Sequence, residues 1–109
     1  MRVVLCNCPP SEADHLASTV VEEGLAACVN IVPGVLSVYR WKGEIHRDQE
    51  STLIIKVAAS NIANLKQRLV EIHSYETVEF LSLPVNVDES DSDYVGWVRQ
   101  TSGTVTNAQ

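Results

Sequence analysis

Hydrophobic and polar positions alternate, cluster and fall quiet along this chain in an order that predicts its elements. Val3, Val4, Leu5 and Cys6 form a short, nearly continuous apolar run, the pattern of a strand covered on both faces. Ala13, Leu16, Ala17, Val20 and Val21 then recur on one helical stripe, entered through a Ser11–Asp14 capping box and stopped at Gly24. From Ala26 to Trp41 and again from Glu44 to Val57 the chain reads as two strand-like arms joined across Lys42-Gly43, with an interruption at Pro33-Gly34. Beyond that interruption Val35, Ser37, Tyr39 and Trp41 share one face, and Leu36, Val38 and Arg40 the other. A second helix from Ser60 carries Ile62, Leu65, Leu69 and Ile72 and ends near His73 or Ser74. Thr77 to Val87 alternates as a further strand, with Pro84 marking an edge or a break. A short last helix starts near Asp91 with Tyr94, Val95, Trp97 and Val98 inward, and a disordered tail is expected over 102–109.

The order strand, helix, strand, strand, helix, strand predicts an α+β ferredoxin-like βαββαβ sandwich with an extended hairpin and a short C-terminal helix, in one domain over 1–101. The hairpin arms are long for so small a domain. At about 3.3 Å per residue each would reach roughly 40 Å or more, past anything the two helices can cover. Exposed apolar side chains and unpaired strand edges on the overhang predict pairing with other copies of the chain.

Composition then narrows the partners. The 109 residues are 45% hydrophobic and 20% charged, ordinary globular usage, and the formal net charge of -6 argues against nucleic acid, which needs clustered Lys and Arg. Cations are the charged partners this balance admits, although a scattered excess of carboxylates is more often a solvated surface. After Arg2 only Val3, Val4 and Leu5 precede Cys6, too little for a signal sequence or a membrane span, so a cytoplasmic location is expected. Three cysteines, an odd number, fit reduced thiols there better than a disulfide framework.

Several blocks taken together carry a family resemblance: Leu25-Ala26-Ala27-Cys28-Val29-Asn30, Pro33-Gly34, Tyr39-x-Trp41-x-Gly43, Glu50, Lys56 and His73-x-Tyr75-Glu76-x-x-Glu79. In this order and spacing, from about Val3 to Trp97, the chain resembles the CutA divalent cation tolerance proteins. The resemblance implies a compact homotrimer built through the long strands, and a part in tolerance of copper and other divalent metals without a catalysed reaction. It departs from the family pattern at Ser74 and Val78, where prolines are usual, and at Ile72, where some members carry a second histidine. Loss of both prolines should loosen the connection into the fourth strand.

Two constellations could carry chemistry. Cys6 matches the family position proposed to bind copper, with His73 as its imidazole partner, and a thiolate with an imidazole suits Cu(I) or Zn(II). The plainer reading makes Cys6 a small core hydrophobe and His73 a helix end. Cys6 and Cys8, two apart on a strand, share a face at a spacing too wide for an unstrained disulfide, while Cys28 reads as core packing and His15 and His46 as surface residues. The resemblance gathers Tyr39, Trp41, Glu50, Lys56, Tyr75 and Glu79 around clefts between subunits, where a small ligand, a metal or a protein partner could bind. The alternative pairs Glu50 and Glu79 with Lys56 or Arg40 and lets the aromatics fill the trimer contact. A signalling or scaffold module like the nitrogen-regulatory PII trimers is thus the alternative to a metal-binding protein. No phosphate loop or nucleophile elbow is present, so no enzyme, no organic cofactor and no membrane association are expected.

Overall fold

The computed structural model describes residues 1–103. Four strands, β1 (Arg2–Cys8), β2 (Cys28–Trp41), β3 (Glu44–Val57) and β4 (Leu81–Pro84), form one antiparallel sheet in the order β2-β3-β1-β4. Helices α1 (Ala13–Glu22) and α2 (Ile62–Ile72) connect them, and α3 (Ser92–Ser102) follows β4. This is the predicted arrangement of mixed α+β elements, with Pro84 closing an edge strand as its missing N–H requires.

One sheet face holds the core. Val4, Cys6 and Cys8 of β1 and Leu53, Ile55 and Val57 of β3 meet Leu16 and Val20 of α1 and Leu65 and Leu69 of α2, all fully buried. Period-2 alternation therefore points alternate strand residues at the 3.6-period stripes of both helices. The opposite face is left to Val3, Leu5, Ile54, Leu81 and Leu83, and α3 covers only one end of it, where Val95 and Val98 pack with Met1 and Ala27.

The hairpin divides where the sequence suggested. Pairing of β2 with β3 slips between Val32 and Val35, and Gly34 takes a φ of 70°, a conformation glycine adopts without strain. Strand β1 stops pairing at Cys8 opposite Ser51, so Val35–Trp41 and Glu44–Glu50 run on as a two-stranded ribbon. Burial in β3 changes at the same place: Ser51, Leu53, Ile55 and Val57 are buried, whereas Glu44–Gln49 are largely exposed. Lys42 and Gly43 close the ribbon with φ of 51° and 83°, the two positive angles that a tight hairpin turn demands. The molecule extends 46 Å along its longest axis, and its radius of gyration of 14.7 Å exceeds the ~13 Å typical of a compact chain this long.

Five expectations are corrected. Ser11 does not cap α1: a 3-10 turn over Pro10–Glu12 leads in, Glu12 occupies the cap position, and no side chain bonds the free N–H groups. Helix α2 likewise begins at Ile62 after a 3-10 turn at Ala59–Asn61 rather than at Ser60. The fourth strand is only Leu81–Pro84, because β1 offers partners from Arg2 to Leu5 alone and the residues before Leu81 cross to the hairpin instead. On α3 the buried stripe is Val95, Val98 and Ser102, which turns Tyr94 and Trp97 outward against each other, their ring centroids 5.6 Å apart. The tail expected from Ser102 overlaps this helix, since Ser102 is buried and donates to Val98 O at 2.6 Å. Residues 104–109 lie outside the described residues.

Candidate functional site

The bulge and the end of β1 together set the position of the site. Where β1 leaves the sheet, Asn7 faces Thr52, and its side chain is held between two neighbours. Thr52 Oγ1 donates to Asn7 Oδ1 at 2.7 Å, and Asn7 Nδ2 donates to Glu50 Oε1 at 3.4 Å. Glu50, opposite Val35 at the bulge, is 7% exposed and takes a second bond on Oε2, from the Tyr75 hydroxyl at 2.5 Å. Burial, followed by that bond and the Glu50 charge, pushes the Tyr75 phenol well above its ordinary range.

His73 ties the end of α2 to the same strand. Its N–H closes the last turn on Leu69 O, and its ring is 7% exposed. Because the Tyr75 backbone N–H can only donate, His73 Nδ1 accepts that bond at 3.1 Å. The proton therefore sits on Nε2, which donates to Asn7 O at 2.9 Å. This is the neutral tautomer with both nitrogens engaged. The rings of His73 and Tyr75 lie 4.7 Å apart.

Around this network opens a cleft of about 610 Å³, walled by Tyr39 and Trp41 from the ribbon, by Glu50, and by Tyr75, Glu76 and Glu79 from the segment after α2. Tyr39 donates to Asp48 and stacks on His46 at 5.3 Å, which fixes its ring along the ribbon. Burial first, and the neighbouring Glu50 second, hold the Glu79 carboxyl above its ordinary range. Five of the six residues expected at the cleft are thus brought together.

Lys56 is the exception. Its ammonium donates to Asn30 and lies 3.9 Å from the Cys28 thiol, on the open sheet face. The pairing of Glu50 or Glu79 with Lys56 or Arg40 is accordingly not made; the ion pairs among the described residues are those of Arg68 with Glu23 and Glu71. Cys28 itself is half-buried. Sequence reasoning missed Asn7 and Thr52, whose signal was a polar residue between two cysteines in an otherwise apolar strand.

Cys6 and His73 do come to one place: Cys6 Sγ and His73 Nε2 both point at Asn7 O, at 3.9 and 2.9 Å. As donors for a metal they are a poor fit in the folded chain. Burial pushes the Cys6 thiol up to about 12 and both imidazole nitrogens are occupied, so a metal there would have to displace the thiol proton and break one His73 bond. Among the described residues no three His, Cys, Asp or Glu side chains are grouped to hold a metal ion. Cys8 is likewise raised by burial to about 11, which removes the thiolate that a redox role for Cys6-Asn7-Cys8 would require.

A four-stranded antiparallel sheet, a ribbon that overruns it and an acidic, aromatic cleft at the junction define a small α+β domain of one recognisable class. The chain belongs to the CutA1 divalent ion tolerance protein family, whose sequence model matches residues 2–101. It is 43% identical over 103 residues to the divalent-cation tolerance protein CutA of Thermus thermophilus, covering 94% of this chain and 98% of that one. Identity to mouse Protein CutA is 38%, with 94% of this chain spanning 57% of the longer mouse protein. Among solved structures, the PII-like protein CutA from Nostoc in apo form superposes with a TM-score of 0.91 at 40% identity, covering 94% of this chain and 97% of that one.

Proposed function

We propose that the protein is a homotrimeric, non-catalytic module of divalent-cation tolerance that works by binding a small ligand in the cleft at the base of its hairpin, in the manner of a PII-like sensor. One observation carries the reading: Tyr39, Trp41, Glu50, Tyr75 and Glu79, from three separate stretches of chain, converge on a cavity of about 610 Å³, within the range of small-molecule sites. The trimer is supported by what one copy leaves open, namely Leu36, Val38 and Ile45 at 48, 55 and 59% exposure on the ribbon, and Leu81 at 55% on the β4 edge. Further copies covering these would set the cleft at a subunit boundary. A reducing, cytoplasmic setting is supported by three free thiols. Among the described residues no helix is long and apolar enough to cross a membrane. The experiment is a thermal-shift screen of metabolites against the wild type and Trp41→Ala. A stabilising ligand whose effect disappears in a Trp41→Ala protein of unchanged oligomeric state is the expected result; a ligand that stabilises both proteins equally places the site elsewhere.

Copper or another soft divalent metal held by Cys6 and His73 is the second reading, supported by their meeting at the Asn7 carbonyl. It requires the thiol to give up its proton and the imidazole to leave one of its two bonds. Cu(I) binding that falls away in Cys6→Ser would favour it over the cleft.

A further inference from the structure

We propose that the ligand of this cleft is a small organic ammonium cation, seated against the rings of Tyr39, Trp41 and Tyr75 and neutralised by Glu50 and Glu79. The inference rests on the cleft being a ligand site, as argued above, and adds the chemistry of the ligand.

Charge decides first. The wall that one copy contributes carries Glu50, Glu76 and Glu79 and no lysine or arginine, so on this side of the cleft a phosphate or carboxylate would meet a field of its own sign. Glu50 is the telling member. It is 7% exposed, yet its two hydrogen bonds come from neutral donors, the Tyr75 hydroxyl and the Asn7 amide, and among the described residues of its own copy no ion pair reaches it. A buried carboxylate without a cation is costly, and a ligand cation relieves that cost. Burial first and the Glu50 charge second raise the Glu79 carboxyl, so the two acids share one side of the cleft.

Size and wall chemistry then choose among cations. A bare metal ion fills a small part of about 610 Å³ and wants several converging oxygen or nitrogen donors, and among the described residues no group of three candidate metal ligands exists. Three aromatic side chains instead suit an alkylammonium group, which is attracted to ring faces as well as to carboxylates. The Trp41 ring already draws one ammonium, Lys42 Nζ, to 5.8 Å from its centroid. Tyr39 and Tyr75 keep their hydroxyls on Asp48 and Glu50, which orders the rings before any ligand arrives.

The test follows the two indole N–H signals by NMR in the assembled protein, with Trp97 on α3 as the internal control. The probes are choline, putrescine and 3,3-dimethylbutan-1-ol, the neutral isostere of choline. Choline or putrescine should shift Trp41 saturably and leave Trp97 still, with the isostere about tenfold weaker or more. Glu79→Gln should weaken the cations several-fold and leave the isostere unchanged, and Glu50→Gln should act in the same direction. An isostere that shifts Trp41 as well as choline does overturns the cation inference and leaves the ligand cleft standing. If no probe shifts Trp41, the ammonium inference falls, and the cleft reading then stands or falls with the metabolite screen on wild type and Trp41→Ala.

Discussion

Glu50 stands where two environments meet: β3 behind it is buried, β3 ahead of it is exposed, and its carboxylate is held by Asn7 and Tyr75. Replacing Tyr75 with Phe leaves Glu50 one bond short in a buried setting, so Tyr75→Phe should lower stability by about 1–3 kcal/mol in denaturant titration. A variant as stable as wild type would mean that water serves Glu50 equally well. The thiols give a second residue-level prediction. Folding raises Cys6 from an ordinary value of 9.0 to about 12 and Cys8 from 9.0 to about 11. The unfolded chain therefore releases these protons first. Stability should be complete below pH 9 and fall as pH rises from there towards 12, less steeply in Cys6→Ala. At neutral pH a thiol reagent should modify half-buried Cys28 first, and rapid modification of native Cys6 would contradict its burial. Of the site, Tyr39, Trp41, Glu50, Tyr75 and Glu79 were legible through the resemblance. Asn7 and Thr52 were not, because side-chain bonds between strands 45 residues apart depend on register.

Elements were legible wherever periodicity was strong. Helices α1 and α2 and the hairpin fall where apolar spacing and the Gly24, Pro33-Gly34 and Lys42-Gly43 signals put them. The misses are of a different kind. Helix starts were misjudged because a 3-10 turn can satisfy part of a helix entry without a side-chain cap. The fourth strand was drawn too long because alternation from Thr77 to Val87 reports side-chain character, whereas a strand also needs a partner, and β1 supplies one only as far as Leu5. Hydrophobicity alone puts Tyr94 and Trp97 inward, but it does not say which side of α3 meets the sheet. Gly34→Ala should cost about 1 kcal/mol or more, because a Cβ at φ 70° is strained even where nothing lies within 4 Å. The thermal midpoint measures this, and an unchanged one would show that the bulge can slip. On α3 the Asp91 carboxylate accepts the Tyr94 N–H at 3.0 Å, so Asp91→Ala should cost about 1 kcal/mol and speed hydrogen exchange across the first turn.

At the scale of the whole molecule one copy of the chain leaves apolar surface uncovered. A two-stranded ribbon is at best marginally stable in water, and this one carries Leu36, Val38 and Ile45 on one face beyond the reach of α1 and α2. The excess of apolar length over helical cover was plain in the sequence, which is why assembly could be expected before any motif was considered. Which residues the assembly would enclose was not plain, since that follows from the bulge and from the early end of β1. Placing a charge on the ribbon, as in Val38→Asp, should dissociate the proposed trimer without unfolding the core, seen as a drop in sedimentation coefficient with retained far-UV dichroism. If function resides in an assembled cleft and not in a thiol–imidazole metal site, native mass spectrometry of the fully reduced protein titrated with Cu(I), wild type beside Cys6→Ser, should show a trimer in both, with copper uptake that does not depend on Cys6. A monomer, or a trimer that takes one copper per chain only when Cys6 is present, would contradict it.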